Sequence, residues 1–277
     1  MNTLSTSTLA ALEEMLQNTS RSAPPDFLPI RLLAGRTENQ TIGHLNPEFI
    51  PYLKESLEKD PIPNISISDD QLGVLISKPR DLSLRLAILA NRMRLGGYIS
   101  GWRNEDFAWL DHYGHQYFHL ERAAFRTFGL RSMATHINGY TPSGMLWLGR
   151  RSDTKSTDPG KLDNIAAGGI TTDETPWVCA RRELWEEAGV PGQLAEEIEP
   201  VGRIHMRRPI PSRGFHDELL FIYDLELADH FVPTNHDGEV SSFIEITLAE
   251  AAARILADEF TSDAAFVTAD FILRRNK

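Results

Sequence analysis

The stretch AAGGITTDETPWVCARRELWEEAGV, residues 166–190, decides how the chain is read. A small-residue run rich in glycine gives way at Thr175 and Pro176 to a segment with helical periodicity that lasts until Gly189. A threonine oxygen can accept an orphan backbone N–H at a helix start, and proline costs nothing at the first helical position. Gly189 suits the stop, with Pro191 just beyond it. At about 100° per residue, Trp177, Ala180, Leu184 and Ala188 form one apolar stripe, with Trp185 beside it, and that stripe is expected to lie on a sheet. Glu183, Glu186 and Glu187 fall on the other side, so three carboxylates project into one patch.

Like charges at these spacings destabilise a helix by a few tenths of a kcal/mol per pair, so a compensating cation is expected. Mg²⁺ or Mn²⁺ fits, because hard divalent ions prefer oxygen ligands and magnesium takes a few carboxylates together with waters and substrate phosphates. The competing reading is an ordinary charged, solvated helix face, and the helix by itself leaves both open.

Bulk composition narrows the function classes. The chain has 277 residues, 41% hydrophobic and 24% charged, a globular composition with room for one large or two ordinary domains. Apolar runs such as AAFV and LLFI are far shorter than the roughly 20 residues of a membrane span, so no integral membrane segment is expected. The N-terminus lacks a basic start and apolar core, and carries Glu13 and Glu14 where a transit peptide would be rich in arginine; a cytoplasmic location is expected. The single cysteine, Cys179, excludes an intramolecular disulfide and a cysteine-only zinc site. A formal charge of −11 argues against a nucleic-acid polymer as partner while leaving a small phosphorylated ligand open.

Along the chain, residues 1–25 read as a flexible tether with at most one short helix around TLAALEEML. Residues 26–128 read as a small α+β domain: a hairpin from FLPIRLLAG and QTIGHL, helices from EFIPYLKESLEK and LSLRLAILANRMRLGG, and a short helix, ERAAFRTFG, stopped by Gly129. Residues 129–277 form the second domain, opening with a hairpin of RSMATHINGY and MLWLGRR around a TPSG turn. ELLFIYDLEL and VSSFIEI read as further strands, and TLAEAAARILADEF as a helix with Thr247 and Glu250 spaced as a capping box.

The full spacing is Gly168, five residues, Glu174, seven residues, then Arg182, Glu183, Leu184, any residue, Glu186, Glu187, any residue, Gly189 and Val190. This string resembles the Nudix box of the MutT-like Nudix hydrolases at every specified position. The resemblance implies an α/β/α sandwich with a mixed sheet, preceded here by the small α+β domain, and hydrolysis of a nucleoside diphosphate derivative or another organic diphosphate with Mg²⁺ or Mn²⁺. It implies Glu183, Glu186 and Glu187 as metal ligands, with Glu186 or Glu187 also orienting the attacking water. Arg182 and Glu174 would brace the loop against the helix, and Gly168 would let the backbone pass closely and lend its carbonyl to a metal. Glu239, in DGEV, sits where many Nudix enzymes supply an extra acid, though an ordinary charged turn reads as well.

Beyond the box, THINGY, LWLGRRSDTKSTDPGKLDNIAAGGI, GWRNEDFAWL and ERAAFRTFGL resemble the Nudix proteins related to thiamin pyrophosphokinase, over roughly residues 28–260 and without a kinase part. The implied substrate is a compound of the thiamine diphosphate type, including damaged oxo and oxy forms. Arg150, Arg151, Lys155 and Lys161 concentrate positive charge just before the acidic helix and are candidates to hold the diphosphate, although adjacent strand residues point to opposite sides, so at most one of Arg150 and Arg151 faces the ligand. Arg207, Arg208 and Arg213 flank a proline-rich segment read as a loop that could close over an anion. His136 reads as a satisfied core histidine, and Cys179 as a small helix filler.

Two alternatives accompany this reading. A ligand-sensing Nudix module without hydrolysis would be under no constraint to keep its glutamates, and no DNA-binding appendage is evident. An isopentenyl diphosphate isomerase shares the framework but relies on a cysteine motif absent here. A small-molecule partner is expected, without membrane attachment, and a homodimer is compatible with this reading.

Overall fold

Residue 135 lies at the middle of the strand that organises the molecule. β7 (Arg131–Tyr140) runs parallel to β12 (Gly214–Glu226) on one side, and its other side is divided between β10 (Ala166–Gly169) and β8 (Met145–Arg151), both antiparallel. Further antiparallel pairs add β11 (Glu199–Ile210) beyond β12, and β13 (Val240–Thr247) and β9 (Leu162–Asp163) beside β8, giving a mixed seven-stranded sheet. The computed structural model describes residues 4–33, 40–75, 79–111, 113–155, 157–210 and 214–276. Arg213 lies outside them.

Helices cover both faces of this sheet, as strands apolar on two sides require. On one face, Ala180, Leu184 and Ala188 of α5 (Pro176–Ala188) are fully buried against Ile137, Tyr223 and Leu225. The expected stripe is therefore in place except for Trp185, which is 52% exposed and leans on His236 instead, with ring centroids 4.5 Å apart. On the other face, α6 (Leu248–Leu256) and α7 (Ser262–Arg275) bury Ala251, Phe271 and Ile272 against Leu146 and Leu148. Thr247 caps α6 by accepting the Glu250 N–H at 3.1 Å.

The expected tether holds a helix, α1 (Thr6–Gln17), capped by Ser5. Its Leu12 is fully buried in the α6 and α7 cluster, and the Arg21 N–H donates to the Arg207 carbonyl at 2.9 Å. A short helix that is marginal alone is held here because it completes an existing layer.

The N-terminal part builds its own core. β1 (Leu28–Leu33) pairs antiparallel with β2 (Gln40–Leu45) as expected, and β3 (Ile65–Ile67) and β4 (Leu72–Leu75) complete a four-stranded sheet. α2 (Ile50–Lys59), α3 (Pro79–Leu95) and α4 (Arg122–Phe128) pack with a hairpin, β5 (Asp106–Leu110) and β6 (Gln116–Glu121), that the sequence reading did not separate. Gly129 ends α4 at φ 57°, and a Cβ there would lie 2.6 Å from the His44 carbonyl oxygen, so only glycine makes this turn.

Arg207 and Arg208 correct another expectation. They lie on β11 rather than in a closing loop, and the Arg207 Nε donates to Asp217 at 3.0 Å across the β11–β12 ladder. Among the described residues no helix is long and apolar enough to cross a membrane.

Candidate functional site

The site is assembled by α5 and the two segments that grip it. Thr175 accepts the Val178 N–H at 3.3 Å, Pro176 opens the first turn, and Gly189 closes the last at φ 65°. The helix lies beside β10 so closely that a Cβ on Gly168 would stand 1.8 Å from Glu183 Oε1. Glycine at 168 is thus a condition for Glu183 to point where it does. Glu187, one turn on, accepts the Ala167 N–H at 2.9 Å.

Arg182 organises the other carboxylates. Its Nε and Nη2 make a fork on Glu174 at 2.6 and 3.0 Å, while Nη1 donates to Glu183 at 2.7 Å and Glu186 at 2.8 Å. A guanidinium suits this because its donors lie in one rigid plane. Burial opposes the charge of Glu174, but Arg182 and Thr171 hold its carboxyl below the usual range.

The three glutamates do not share one environment. Glu183 and Glu187 are buried, at 8% and 6% exposure, whereas the Glu186 side chain is 39% exposed. β10 covers the first two, which a single helix cannot reveal. Burial, against the pull of Arg182, pushes Glu183 up to about 7. Burial, and next the Glu183 charge, drives Glu187 well above the carboxylate range. Such groups require either a proton or a cation.

A loop supplies further acids. The Thr234 N–H donates to the Ala188 carbonyl at 3.0 Å and the His236 N–H to the Glu186 carbonyl at 2.8 Å, so the segment docks on the exposed carbonyls at the end of α5. This docking brings Asp237 and Glu239 to Glu187, with one ligand oxygen from each lying within 4.8 Å of the others. Glu239 was expected here and Asp237 was not; its only sequence signal is the HDGEV turn. An all-oxygen, partly buried donor set of this kind fits a hard divalent cation such as Mg²⁺ or Mn²⁺. Glu239 also accepts from Lys155, and Arg103 of the N-terminal part approaches it at 3.4 Å; these cations hold its carboxyl low against the opposing effect of burial.

A cleft of about 620 Å³ opens beside this cluster, lined by Ala167, Gly168 and Gly169 on one side and by Arg103, Phe107, Arg122 and Arg126 of the N-terminal part on another. The two parts are locked at this seam: a Cβ on Gly169 would meet the Phe107 ring at 2.3 Å, and Thr172 donates through both its N–H and its hydroxyl to the Asp106 carbonyl. Of the four cations expected to hold the diphosphate, Arg151 and Lys155 line the cleft. Arg150 and Lys161 do not line it: Arg150 donates to the Gly160 carbonyl at 2.6 Å, and Lys161 pairs with Asp258 at 3.1 Å. Strand alternation separates Arg150 from Arg151, as expected of neighbours on β8.

Two side chains near the site have structural partners. The His136 Nδ1–H donates at 2.9 Å to the amide oxygen of buried Asn164, whose Nδ2 donates in turn to Asn138 and Thr268. Cys179 is fully buried with Sγ 3.4 Å from the Gly169 carbonyl oxygen, and burial pushes its thiol up to about 12.

The chain has relatives among known proteins. A solved structure from Deinococcus radiodurans superposes with a TM-score of 0.49 at 22% identity, covering 61% of this chain and 98% of that one. Nudix hydrolase 24, chloroplastic, of Arabidopsis thaliana is 34% identical over 254 residues, covering 90% of this chain and 68% of the plant protein. Nudix hydrolase 20, chloroplastic, of the same plant is 32% identical over 260 residues, with the same shares covered. The uncharacterized Nudix hydrolase YfcD of Escherichia coli strain K12 is 31% identical over 161 residues, 56% of this chain and 80% of that protein. The cytoplasmic expectation has no counterpart in the two plant names. Residues 133–269 match the NUDIX domain, and with relatives this similar over nearly the whole length, the chain belongs to the Nudix hydrolase family and is a hydrolase of diphosphate-containing substrates.

Proposed function

We propose that this enzyme is a metal-dependent hydrolase of a small organic diphosphate, of the thiamine diphosphate type, including its oxo and oxy forms, or a nucleoside diphosphate derivative. The observation that carries the metal dependence is the meeting of Glu187, Asp237 and Glu239 within 4.8 Å at a Nudix helix whose Glu183 and Glu187 are too buried to ionise easily alone. Support for the substrate class is the resemblance of the N-terminal and central segments to thiamin pyrophosphokinase-related Nudix proteins, together with a cleft whose wall includes Phe107, Phe125 and Leu130 beside the cations Arg151 and Lys155.

In this reading Glu187, Asp237 and Glu239 hold Mg²⁺ or Mn²⁺, with Glu183 alongside. A divalent ion held there would supply charge neutralisation of the diphosphate oxygens and a more acidic water. Arg182, anchored on Glu174, fixes the rotamers of Glu183 and Glu186, and Gly168 lets the loop pass against Glu183. Glu186 orients the attacking water and accepts its proton. Lys155, paired with Glu239, and Arg151, held by Asp163 and Thr157, would bind the diphosphate from the cleft wall.

The test is a hydrolysis panel with Mg²⁺ and Mn²⁺ containing thiamine diphosphate, its oxo and oxy analogues, ADP-ribose, NADH and isopentenyl diphosphate, with Glu187→Gln as control. Metal-dependent release of phosphate or a monophosphate from a thiamine-type or nucleoside compound, lost in the control, is expected. Tight binding across the panel without turnover would instead make the chain a sensor.

A further inference from the structure

At the end of the cleft away from the Nudix helix, three polar side chains remain outside the chemistry described so far. His216 and Glu218 project from β12 and Asp263 from the first turn of α7, and all three line the cleft. His216 is only 2% exposed, yet its Nε2 has no hydrogen-bond partner among the described residues, and neither has Asp263 Oδ1. The two atoms stand 3.4 Å apart as an ion pair when His216 is protonated, and Nε2 is 3.8 Å from Glu218 Oε2; neither contact completes a hydrogen bond. A buried polar atom without a hydrogen bond is costly, and two that face one cleft are placed to gain partners from a ligand.

Arg126 Nη2 can only donate, so its 3.5 Å approach to His216 Nδ1 favours the form in which Nε2 carries a proton toward the carboxylates. The Ser132 hydroxyl donates to Glu218 Oε1 at 2.7 Å, so Oε2 is the oxygen left over. This end of the cleft therefore offers one N–H donor beside two carboxylate acceptors. A divalent cation is the competing occupant, since the three ligand atoms cluster within 4.8 Å. It is disfavoured because the charges of Arg126 and Arg208 bear on the same spot.

The spacing matches a two-part ligand. Ser132, Ala134 and His136 alternate along β7 in the cleft wall; Ser132 pairs in register with Glu218, and His136 with Ala167 next to Gly168. At about 3.3 Å per residue the two ends lie roughly 13 Å apart, with Phe107, Phe125 and Leu130 also lining the cleft.

Resting on the reading of this cleft as the substrate site, we propose that His216, Asp263 and Glu218 form the subsite that reads the organic part of the substrate, selecting a planar nitrogen heterocycle with a hydrogen-bond donor and acceptor side by side on one edge. An isoprenoid tail, with no such edge, leaves the donor and both acceptors unmet and is rejected.

The test uses the full chain and calorimetry with Ca²⁺ in place of Mg²⁺, comparing thiamine diphosphate, its oxy analogue and ADP with isopentenyl diphosphate, alongside kcat/KM with Mg²⁺. The wild type is expected to bind at least one heterocyclic diphosphate tenfold or more tightly than the isoprenoid one. Asp263→Asn and Glu218→Gln, both near-isosteric, are expected to reduce that preference by tenfold or more while isopentenyl diphosphate affinity stays within twofold; thermal melts of the free variants check folding, and the variant that folds carries the test. No preference in the wild type, or a preference that survives in the folded variants, overturns the proposal. So does stoichiometric Zn²⁺ or Mn²⁺ binding that Asp263→Asn abolishes without touching selectivity, which would make the cluster a metal site. Selective binding without hydrolysis would sink the proposed activity and leave this subsite standing, whereas hydrolysis without selectivity would do the reverse.

Discussion

Glu183→Gln separates the cost of the buried acidic cluster from its use. In the fold, burial raises this carboxyl from the ordinary 4.5 to about 7 even with Arg182 beside it. At about 1.4 kcal/mol per pH unit, ionising Glu183 in the native state costs up to about 3 kcal/mol more than in the unfolded chain. The sign follows from proton counts. Below about pH 4.5 both states are protonated and the cost is absent. Between there and about 7 the unfolded chain loses the proton while the native state keeps it, so stability falls as pH rises; above 7 the cost is fully expressed. Urea titrations of metal-free protein from pH 5 to 8 should therefore show the wild type losing stability that Glu183→Gln retains, with a gap that widens by up to about 3 kcal/mol. Glu187, raised in the same direction, steepens the decline in both proteins. Mg²⁺ or Mn²⁺ should stabilise the wild type more at pH 8 than at pH 5, because it competes with protons for the same oxygens. A gap that stays flat across this range would refute the claim that these carboxylates are strained without a cation.

Two further outcomes follow from close packing at the helix. Gly168→Ala places a methyl 1.8 Å from Glu183 Oε1, and the displaced carboxylate should lower kcat by about 100-fold or more with the melting temperature measured in parallel; near wild-type turnover would show that Glu183 need not sit there. With its thiol pushed up to about 12, Cys179 should resist Ellman's reagent at pH 8 until the chain unfolds, and Cys179→Ala should keep activity within a few-fold, since thiolate at that pH is only on the order of 10⁻⁴ of the thiol.

What could be read from sequence was what the chain decides locally. The limits of α5 follow from Thr175, Pro176 and Gly189, whose preferences act within a turn, and the box spacing then identified the helix's chemistry. Asp237 was hidden because an acid in a turn looks like solvent-facing charge; it joins the cluster only through backbone bonds from Thr234 and His236 to the end of α5. Strand alternation already set Arg150 against Arg151, but charge could not show that Gly160 engages Arg150 and Asp258 engages Lys161, just as Asp163 engages Arg151. His216 and Asp263 belong to a strand and a helix that no local pattern links, so their meeting required the sheet. α1 looked like a tether because its partners, α6 and α7, lie at the far end of the chain.

The most direct measurement is the anomalous difference map of a crystal grown with Mn²⁺. The strongest peak is expected among Glu187, Asp237 and Glu239, at oxygen distances of about 2.0–2.6 Å, and is expected to be lost in Glu187→Gln. A peak only among His216, Glu218 and Asp263, or none at millimolar Mn²⁺, would contradict that expectation.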